Sequence, residues 1–361
     1  MSLEESNLGE FDLIRRYFVR GSPTHGLPHG AAHGAARGAD TDAGVILGIG
    51  DDAALIELPP GTQLVAAVDS IVVGRHFPEG ADARSIGHRA LAVNLSDMAA
   101  MGATPAWATL ALTMPRVDPE WLQRFADGFL DLADAHGVAL VGGDTTRGPL
   151  TLSVQILGHV PRGAALRRGG AAAGDVLAVT GTLGDAGAGL AFATEDNATA
   201  GAPTHTTTMD RAAVTELIRR FEYPSPRVAL GVAARGIATA AMDLSDGLVG
   251  DLPKLAQASG LGAHVMVERL PLSDAMRAAV ADPQARDWAL AAGDDYELLL
   301  AVPPERYAAL AGAARQLNLR LTAIGELRAG DAVTWSLNGR DFVPGVRGYD
   351  HFAQASTRIT V

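Results

Sequence analysis

Cysteine is absent from the 361-residue chain. This excludes disulfides, thiolate nucleophiles, thiolate-bound zinc and iron–sulfur clusters, so any chemistry must run on oxygen and nitrogen groups. Lysine is almost absent as well, because Lys254 is the only lysine among 29 basic residues. No Gly-Lys-Ser or Gly-Lys-Thr string exists to form a Walker-type phosphate loop. Schiff-base and phosphate-loop mechanisms are therefore poor candidates.

Long apolar runs and excess positive charge are also missing. No apolar run reaches the roughly 18 residues needed to cross a bilayer, and Glu4 and Glu5 stand where a signal peptide would be basic. We therefore expect a cytoplasmic protein with no membrane partner. The net charge of −12 has the wrong sign for binding nucleic acid. An acidic protein that handles anions needs local arginines or metal ions.

The composition, with 48% hydrophobic and 19% charged residues, is that of a folded globular protein. At about 150 residues per domain, the length suggests two domains. Short apolar runs alternate with amphipathic helical stretches, which indicates a mixed α/β architecture. The predicted strands cover residues 63–69, 138–141, 151–160, 175–180, 238–243, 264–268 and 297–302.

Two predicted helices have the clearest signals. The first covers residues 82–101, with one apolar stripe formed by Ile86, Leu91, Leu95 and Met98. The second follows Asp118 as N-cap, has Pro119 at its first position and ends at Gly137. Its apolar stripe, which we expect to face a core, consists of Trp121, Leu122, Phe125, Phe129 and Leu132.

A Gly- and Ala-rich stretch at residues 168–174 has the composition of a linker. We predict a first domain over residues 1–165 and a second over residues 174–361. Two segments, 21–42 and 195–210, show no hydrophobic period. We predict that both are flexible inserts.

The most informative pattern is the placement of the aspartates. They recur beside glycine, serine or threonine, and several directly follow an apolar strand, where the ligand clefts of α/β proteins form. Glycine beside an acid lets phosphate oxygens approach backbone N–H groups. The clusters contain Asp51 and Asp52, Asp69, Asp97, Asp144, Asp243 and Asp246, and Asp294 and Asp295.

Six converging clusters would repel one another unless cations were bound. Mg²⁺, usually held by one or two carboxylates plus substrate phosphates, fits this scattered pattern. Any single cluster is equally explained as a turn, so the argument depends on all six together. Asn94 and Asp97 stand three residues apart on the first helix, and we expect both to point at one site. For His76, contact with an anion and capping of a loop are equally consistent.

Taken in order, these clusters resemble those of the thiamine-monophosphate kinases. The resemblance covers nearly the whole chain apart from the two inserts. Its most specific strings are Asn-Leu-Ser-Asp-Met-Ala-Ala-Met-Gly at 94–102 and Gly-Tyr-Asp-His-Phe at 348–352. Further strings are Gly-Asp-Asp-Ala-Ala at 50–54, Gly-Gly-Asp-Thr-Thr-Arg-Gly at 142–148, Asp-Leu-Ser-Asp-Gly-Leu at 243–248 and Gly-Asp-Asp-Tyr-Glu-Leu at 293–298.

The resemblance implies the fold of aminoimidazole ribonucleotide synthetase, in which an N-terminal α/β domain pairs across a homodimer and a C-terminal α/β domain completes the nucleotide cleft. It also implies that ATP donates its γ-phosphoryl group to thiamine monophosphate with the help of several Mg²⁺ ions, the last step of thiamine diphosphate synthesis. The acceptor is a phosphate monoester with a second pKa of about 6, so it needs no general base at neutral pH.

The resemblance also implies roles for individual residues. Asp97, Asp144 and Asp246 would assist the transfer through Mg²⁺. His76, Asp294 and Tyr349 would face the thiamine compound, and the Tyr349 ring is the candidate partner of its cationic thiazolium. ATP would be bound by Gly143, Asp144, Arg168 and Ser245. Magnesium would be bound by Asp52, Val68, Asp69, Asp97, Asp144, Asp243 and Asp246.

Two alternatives stay open at this point. The chain could be another ATP- and Mg²⁺-dependent enzyme of the same fold, such as an aminoimidazole ribonucleotide synthetase. It could also be a catalytically silent protein that binds magnesium and nucleotide. The complete set of acid clusters argues against the silent protein, because a decayed site should have lost some of them.

Overall fold

A computed structural model describes residues 10–19, 44–198 and 210–349, which form two compact units. Unit 1 comprises the described residues up to Asn94 together with Thr104–Arg162. Unit 2 comprises Leu95–Ala103 and the described residues from Gly163 onward. The domain limits at 165 and 174 stay a prediction. The predicted insert 21–42 and residues 199–209 of the second insert lie outside the described residues.

Unit 1 is built around a four-stranded sheet with the order β3-β6-β4-β5. Its edges are β3 and β5, and only β4 and β5 run parallel. Its elements are α1 (Glu10–Phe18), β1 (Val45–Leu47), β2 (Leu55–Ile56), β3 (Thr62–Val72), α2 (Ala83–Ala100, shared with unit 2), β4 (Thr104–Met114), α3 (Pro119–Ala135), β5 (Ala139–Arg147) and β6 (Thr151–Pro161).

The sequence signals for α3 are confirmed. The Asp118 side chain accepts the N–H of Trp121 at 3.1 Å, and Pro119 is the first helical residue. A proline fits there because its missing N–H would have no partner within the helix. Phe125 and Phe129 of the predicted stripe are fully buried, and Trp121 stacks on Phe125 with 5.2 Å between ring centroids.

α2 has the predicted extent and the four apolar residues of its predicted stripe are buried, but burial is not confined to that stripe. Every residue of this helix is buried except Arg84, which is exposed, and His88 and Asp97, which are half-buried. The polar residues inside are hydrogen-bonded: Asn94 Nδ2 donates to the carbonyl of Ala90 at 3.0 Å. Burial on all sides removes the amphipathic pattern that a surface helix would show.

Unit 2 contains a seven-stranded sheet with the order β13-β12-β9-β11-β7-β10-β8. All neighbours are antiparallel except β9 and β12. Its elements are β7 (Val176–Thr180), α4 (Asp185–Ala198), α5 (Arg211–Glu222), α6 (Val228–Ala233), β8 (Ala240–Leu244), α7 (Leu248–Ala258), β9 (Gly262–Met266), α8 (Asp274–Ala279), α9 (Asp282–Ala291), β10 (Glu297–Val302), α10 (Pro304–Gln316), β11 (Leu321–Arg328), β12 (Val333–Leu337) and β13 (Arg340–Phe342).

Every predicted strand is found; β10 has its predicted ends, and the ends of the others differ by up to six residues. β8 and β10 are buried along their full length, as expected for continuous apolar runs in the middle of a core. The C-terminal end of β8 and the loop that leads into β10 therefore have a rigid support. Within the described ranges, no helix has the length and apolarity that a membrane crossing requires.

Candidate active site

The C-terminal end of β8 holds three predicted site residues of unit 2. Asp243 lies within the strand and is buried, whereas Ser245 and Asp246 follow the strand and are half-buried. Gly247 then leads directly into α7. This order of strand, turn and helix places the polar side chains at a strand end, where α/β proteins bind ligands.

Two other segments bind to this turn through backbone hydrogen bonds. The three consecutive carbonyls at positions 244–246 accept the N–H groups of Tyr296 and Asp294, both at 2.9 Å, and of Tyr349 at 3.0 Å. Asp294 and Tyr296 have φ angles of 70° and 50°. Such angles are unusual outside glycine and persist where surrounding contacts hold them. The structure thus brings together residues that the sequence assigned to nucleotide, metal and thiamine binding.

Ser96 joins α2 to the same strand end. Its hydroxyl donates to Asp243 Oδ2 at 2.7 Å, and both residues are buried. This part of α2 belongs to unit 2. The next residue is Asp97, which is half-buried. Asp97 therefore lies close to the end of β8, together with the other predicted metal ligands of this unit.

Sequence reasoning missed Asp251 and Lys254, although both contact predicted site residues. Asp251 Oδ2 accepts the N–H groups of Ser245 at 3.0 Å and of Asp246 at 2.9 Å. Lys254 Nζ lies 2.7 Å from Asp246 Oδ2 and 2.9 Å from Asp251 Oδ1. The three-residue spacing of Asp251 and Lys254 is ordinary on a helix, so no local signal in the sequence marked either residue.

These contacts shift the ionisation of both residues. Burial raises the pKa of Asp251, although hydrogen bonds from Lys254 and from the backbone of Asp246 oppose the shift. Burial lowers the pKa of Lys254, but the hydrogen bonds to Asp246 and Asp251 outweigh it, so the pKa of Lys254 is raised. At neutral pH Lys254 therefore carries its positive charge beside Asp246.

A buried ion-pair network lies where the 293–296 loop enters β10. Glu297 is fully buried and accepts hydrogen bonds from Thr180 Oγ1 at 2.6 Å, Arg220 at 2.9 Å and Arg227 Nε at 2.6 Å. Burial would raise the pKa of Glu297, but the hydrogen bonds and charges of the two arginines outweigh it and lower the pKa. This network anchors the segment that presents Asp294.

Asp295 anchors the same loop through a separate set of hydrogen bonds. It accepts the N–H groups of Gly184 at 2.7 Å and Ala186 at 3.4 Å, at the start of α4. Burial raises the pKa of Asp295 well above the ordinary aspartate range. The loop is therefore fixed at two positions that closely follow Asp294.

In unit 1, Asp52, Val68 and Asp69 are exposed. Asp69 is held through its backbone, because its N–H donates to Asn94 Oδ1 at 3.0 Å. Asn94 is itself fully buried. Its amide therefore joins β3 to α2, a packing role that the three-residue spacing from Asp97 did not indicate.

The His76 side chain caps a turn. Its Nδ1 accepts the backbone N–H of Val72 at 3.0 Å, and the backbone N–H of His76 donates to the Val72 carbonyl, also at 3.0 Å. In a neutral imidazole an accepting Nδ1 puts the ring proton on Nε2. The side chain is half-buried. The capping role is thus present in the structure, and contact with an anion stays a prediction.

Gly143 and Asp144 lie on the edge strand β5 and are exposed. Gly143 has a φ of 147°, and a Cβ there would stand 1.9 Å from the Leu110 carbonyl oxygen, so only glycine fits. The next two residues border a cavity of about 200 Å³ within unit 1. Its lining consists of Leu13, Met114, Arg116, Val117, Thr145, Thr146 and Arg147.

Arg168 and Tyr349 are the most accessible predicted ligand residues of unit 2. Arg168 is exposed, and the carbonyl of its neighbour Arg167 accepts the N–H of Ala241 at 2.9 Å, two residues before Asp243. Tyr349 is 48% exposed, with its backbone fixed to Asp246. Both side chains are exposed enough to contact a ligand.

The part of the chain that the structure describes has no group of three or more His, Asp or Glu side chains placed to hold a metal ion. The possible metal ligands in each unit are single carboxylates and pairs of carboxylates. Their hard oxygen donors suit Mg²⁺, which is usually held by one or two carboxylates plus phosphates and water. The donor chemistry therefore fits the predicted ion.

Known proteins resemble this chain over most of its length. Residues 50–160 match the family model "AIR synthase related protein, N-terminal domain", and residues 172–337 match "AIR synthase related protein, C-terminal domain". A thiamine-monophosphate kinase of Salmonella typhimurium is 44% identical, over 96% of this chain and 98% of that protein. The chain belongs to the thiamine-monophosphate kinase family. Membership confirms the predicted fold class and the resemblance.

Solved structures of this family agree with the fold. The thiamine-monophosphate kinase of Stenotrophomonas maltophilia K279a is 46% identical with a TM-score of 0.76, covering 84% of this chain and 93% of that chain. A second structure, named "AaThiL complexed with AMPPCP and TMP", is 30% identical with a TM-score of 0.69, covering 84% and 92%.

Proposed function

We propose that this chain transfers the γ-phosphoryl group of ATP to thiamine monophosphate, giving thiamine diphosphate and ADP. Membership of the thiamine-monophosphate kinase family and the AMPPCP and TMP bound to AaThiL support this reaction. The observation in this chain that carries it is the attachment of the Asp294 and Tyr349 segments to the Ser245–Asp246 turn. Residues proposed for the nucleotide and for the thiamine compound thereby stand side by side.

The residues have to orient two anions rather than move a proton. The acceptor phosphate is mostly deprotonated at neutral pH because its second pKa is about 6. Bound Mg²⁺ would neutralise the phosphates and help to align them. Asp97 and Asp246 in unit 2 and Asp144 in unit 1 are the proposed principal ligands, with Asp52, Asp69, the backbone of Val68 and Asp243 completing the set.

We assign the cavity of unit 1 to the base of the nucleotide. Whole ligands of drug size take pockets of roughly 300–1,000 Å³, so a cavity of about 200 Å³ suits a single heterocycle. Its lining combines apolar side chains with Arg116 and Arg147 and includes no acid. Two guanidinium groups would repel a cationic thiazolium, whereas they can pair with the phosphates attached to a neutral base. We assign the cavity to ATP, consistent with Gly143 and Asp144 beside it.

Asp294 and Tyr349 suit the thiamine compound. A carboxylate attracts the thiazolium cation, and an exposed tyrosine ring can accept a cation on its face, with a gain of roughly 0.5–2 kcal/mol. The Tyr296 hydroxyl donates to Asp294 Oδ1 at 3.1 Å and so fixes the carboxylate. His76 is the proposed contact from unit 1.

We also propose that the chain acts as a homodimer through the sheet of unit 1. The edge strand β3 exposes Leu64 and Val68, at 52% and 62%, and an open apolar edge invites pairing. Asp69 and Asp144 lie on the two opposite edge strands, roughly 14 Å apart at about 4.8 Å per strand. Because β3 would pair with β3 of the second copy, the two Asp69 residues would lie near the interface and each Asp144 on the far edge of its own sheet.

Asparagine variants of the proposed ligands test the site. Asp97→Asn and Asp144→Asn should each lower turnover by on the order of a hundredfold or more, because several kcal/mol of transition-state stabilisation depend on the ions. Asp131→Asn is the matched control, since Asp131 is exposed and pairs with Arg84, at 2.6 Å, on the surface. Near-normal turnover of both ligand variants at saturating Mg²⁺ would refute the assignment.

A further inference from the structure

We propose that Asp251 is a positioning residue that fixes the turn of Ser245 and Asp246 for the nucleotide and its metal. This inference rests on the proposed function, because that function gives the turn its role. Nothing in the sequence pattern pointed to Asp251, and its assignment comes from three contacts around one buried carboxylate.

Two of the contacts fix the backbone of the turn. Asp251 is only 1% exposed, and its Oδ2 accepts the N–H of Ser245 at 3.0 Å and the N–H of Asp246 at 2.9 Å. Two successive N–H groups on one oxygen set the orientation of both peptide planes. Because Asp251 lies in the first turn of α7, the helix itself holds the acceptor in place.

The third contact fixes the side chain of Asp246. Lys254 Nζ lies 2.9 Å from Asp251 Oδ1 and 2.7 Å from Asp246 Oδ2. The ammonium therefore offsets the repulsion between the two carboxylates and holds the Asp246 carboxylate toward α7. Backbone and side chain of Asp246 are both determined by the pair of Asp251 and Lys254.

The orientation of the turn extends to the thiamine side. The same two residues that donate to Asp251 accept, through their carbonyls, the N–H groups of Asp294 and Tyr349 at 2.9 and 3.0 Å. A change in the peptide planes of the turn would therefore move both neighbours. Misplacement by about 1 Å can cost a hundredfold in rate, so a small rotation is enough to be measured.

Steady-state kinetics of two Asp251 variants test the proposal. Asp251→Ala removes the acceptor, and we expect the KM for ATP to rise by about tenfold or more. Asp251→Asn keeps one acceptor oxygen and loses the charge, so its KM for ATP should lie between those of wild type and Asp251→Ala. Amine labelling followed by peptide mass spectrometry gives a readout independent of activity. Lys254, the only lysine, should react faster in both variants because it has lost a carboxylate partner.

Asp175→Ala is the matched structural control. Asp175 is 4% exposed and accepts the N–H of Ala172 at 2.9 Å and the Thr239 hydroxyl at 2.5 Å. It precedes β7, at the end of the sheet opposite the 293–296 loop, since Val176 pairs with Val302. We expect it to lower the Tm without changing the KM for ATP or the labelling of Lys254.

The outcomes separate the positioning role from the proposed function. The positioning role is overturned if Asp251→Ala behaves like Asp175→Ala, with a lower Tm, a wild-type KM for ATP and unchanged labelling. If Asp251→Ala does not fold, wild-type kinetics and labelling in folded Asp251→Asn overturn it equally. Asp246→Asn tests the site itself: if that variant also keeps a wild-type KM and Mg²⁺ requirement, the assignment of this turn to the nucleotide fails instead.

Discussion

Replacing Glu297 with alanine removes the acceptor at the centre of the buried network in unit 2. The Glu297 side chain is 0% exposed, and those of Arg220 and Arg227 are only 14% and 17% exposed. After the substitution Arg220 keeps Asp185 at 3.8 Å, whereas Arg227 loses its carboxylate partner. A buried charge without its partner is the costly outcome, because the desolvation penalty stays and the attraction is gone.

The expected cost is about 3–5 kcal/mol of unfolding free energy, the range for breaking a buried ion pair from one side. Since a domain is stable by about 5–15 kcal/mol, urea unfolding followed by circular dichroism should show a large shift of the midpoint. The pH dependence has a definite sign. Because the pKa of Glu297 is lowered in the folded protein, Glu297 stabilises the fold fully at a pH above the ordinary glutamate pKa of about 4.3. This stabilisation is lost as the pH falls through the pKa of Glu297 in the folded protein.

Glu216→Ala is the control for this experiment. Glu216 pairs with Arg219 at 2.6 Å across one helical turn, and both side chains are about half exposed, at 45% and 50%. Such pairs contribute only about 0.3–0.5 kcal/mol. If Glu297→Ala destabilised the protein no more than Glu216→Ala at pH 7, the reasoning about the buried network would be refuted.

Two further predictions concern unit 1. Gly143→Ala should lower the Tm strongly, because its Cβ would stand 1.9 Å from the Leu110 carbonyl oxygen. Gly50→Ala is the control for backbone strain alone, because Gly50 has a φ of 123° and its Cβ would have no atom within 4 Å. Equal Tm values of the two variants would contradict the close approach at Gly143. Burial, and then the charge of His88, lower the pKa of His136, so unfolding free energy should fall as pH drops below about 6.5, where the unfolded chain binds the extra proton. Urea midpoints measured between pH 5 and 8 check this. A His136→Asn variant whose midpoints fall with pH as steeply as those of the wild type would count against it.

Local signals predicted the elements whose ends and faces they determine. α3 follows from the Asp118 cap, Pro119 and an aromatic stripe, and the full burial of Phe125 and Phe129 confirms it. β10 was predicted with its observed ends because a continuous apolar run specifies a buried strand. α2 was predicted to within one residue at each end, but its burial on all sides could not be predicted from one apolar stripe.

The site was predictable only in its residue types. Glycine-flanked aspartates marked the turn after β8 and the 293–296 loop, but their attachment to each other depends on hydrogen bonds between residues about 50 positions apart. Asp251 and Lys254 have ordinary helical spacing, so no local signal distinguishes them from a surface ion pair. Long-range pairing of strands, such as β4 beside β6, likewise leaves no local trace.

The measurement that tests the central claim most directly is product analysis of the purified protein with ATP, Mg²⁺ and thiamine monophosphate. Parallel reactions would contain free thiamine or formylglycinamidine ribonucleotide, and chromatography would separate the products. We predict thiamine diphosphate from the monophosphate alone, with ADP in equal amount. Consumption of the purine precursor would instead show a different enzyme of the same fold, and bound ATP without any product would show a silent binding protein.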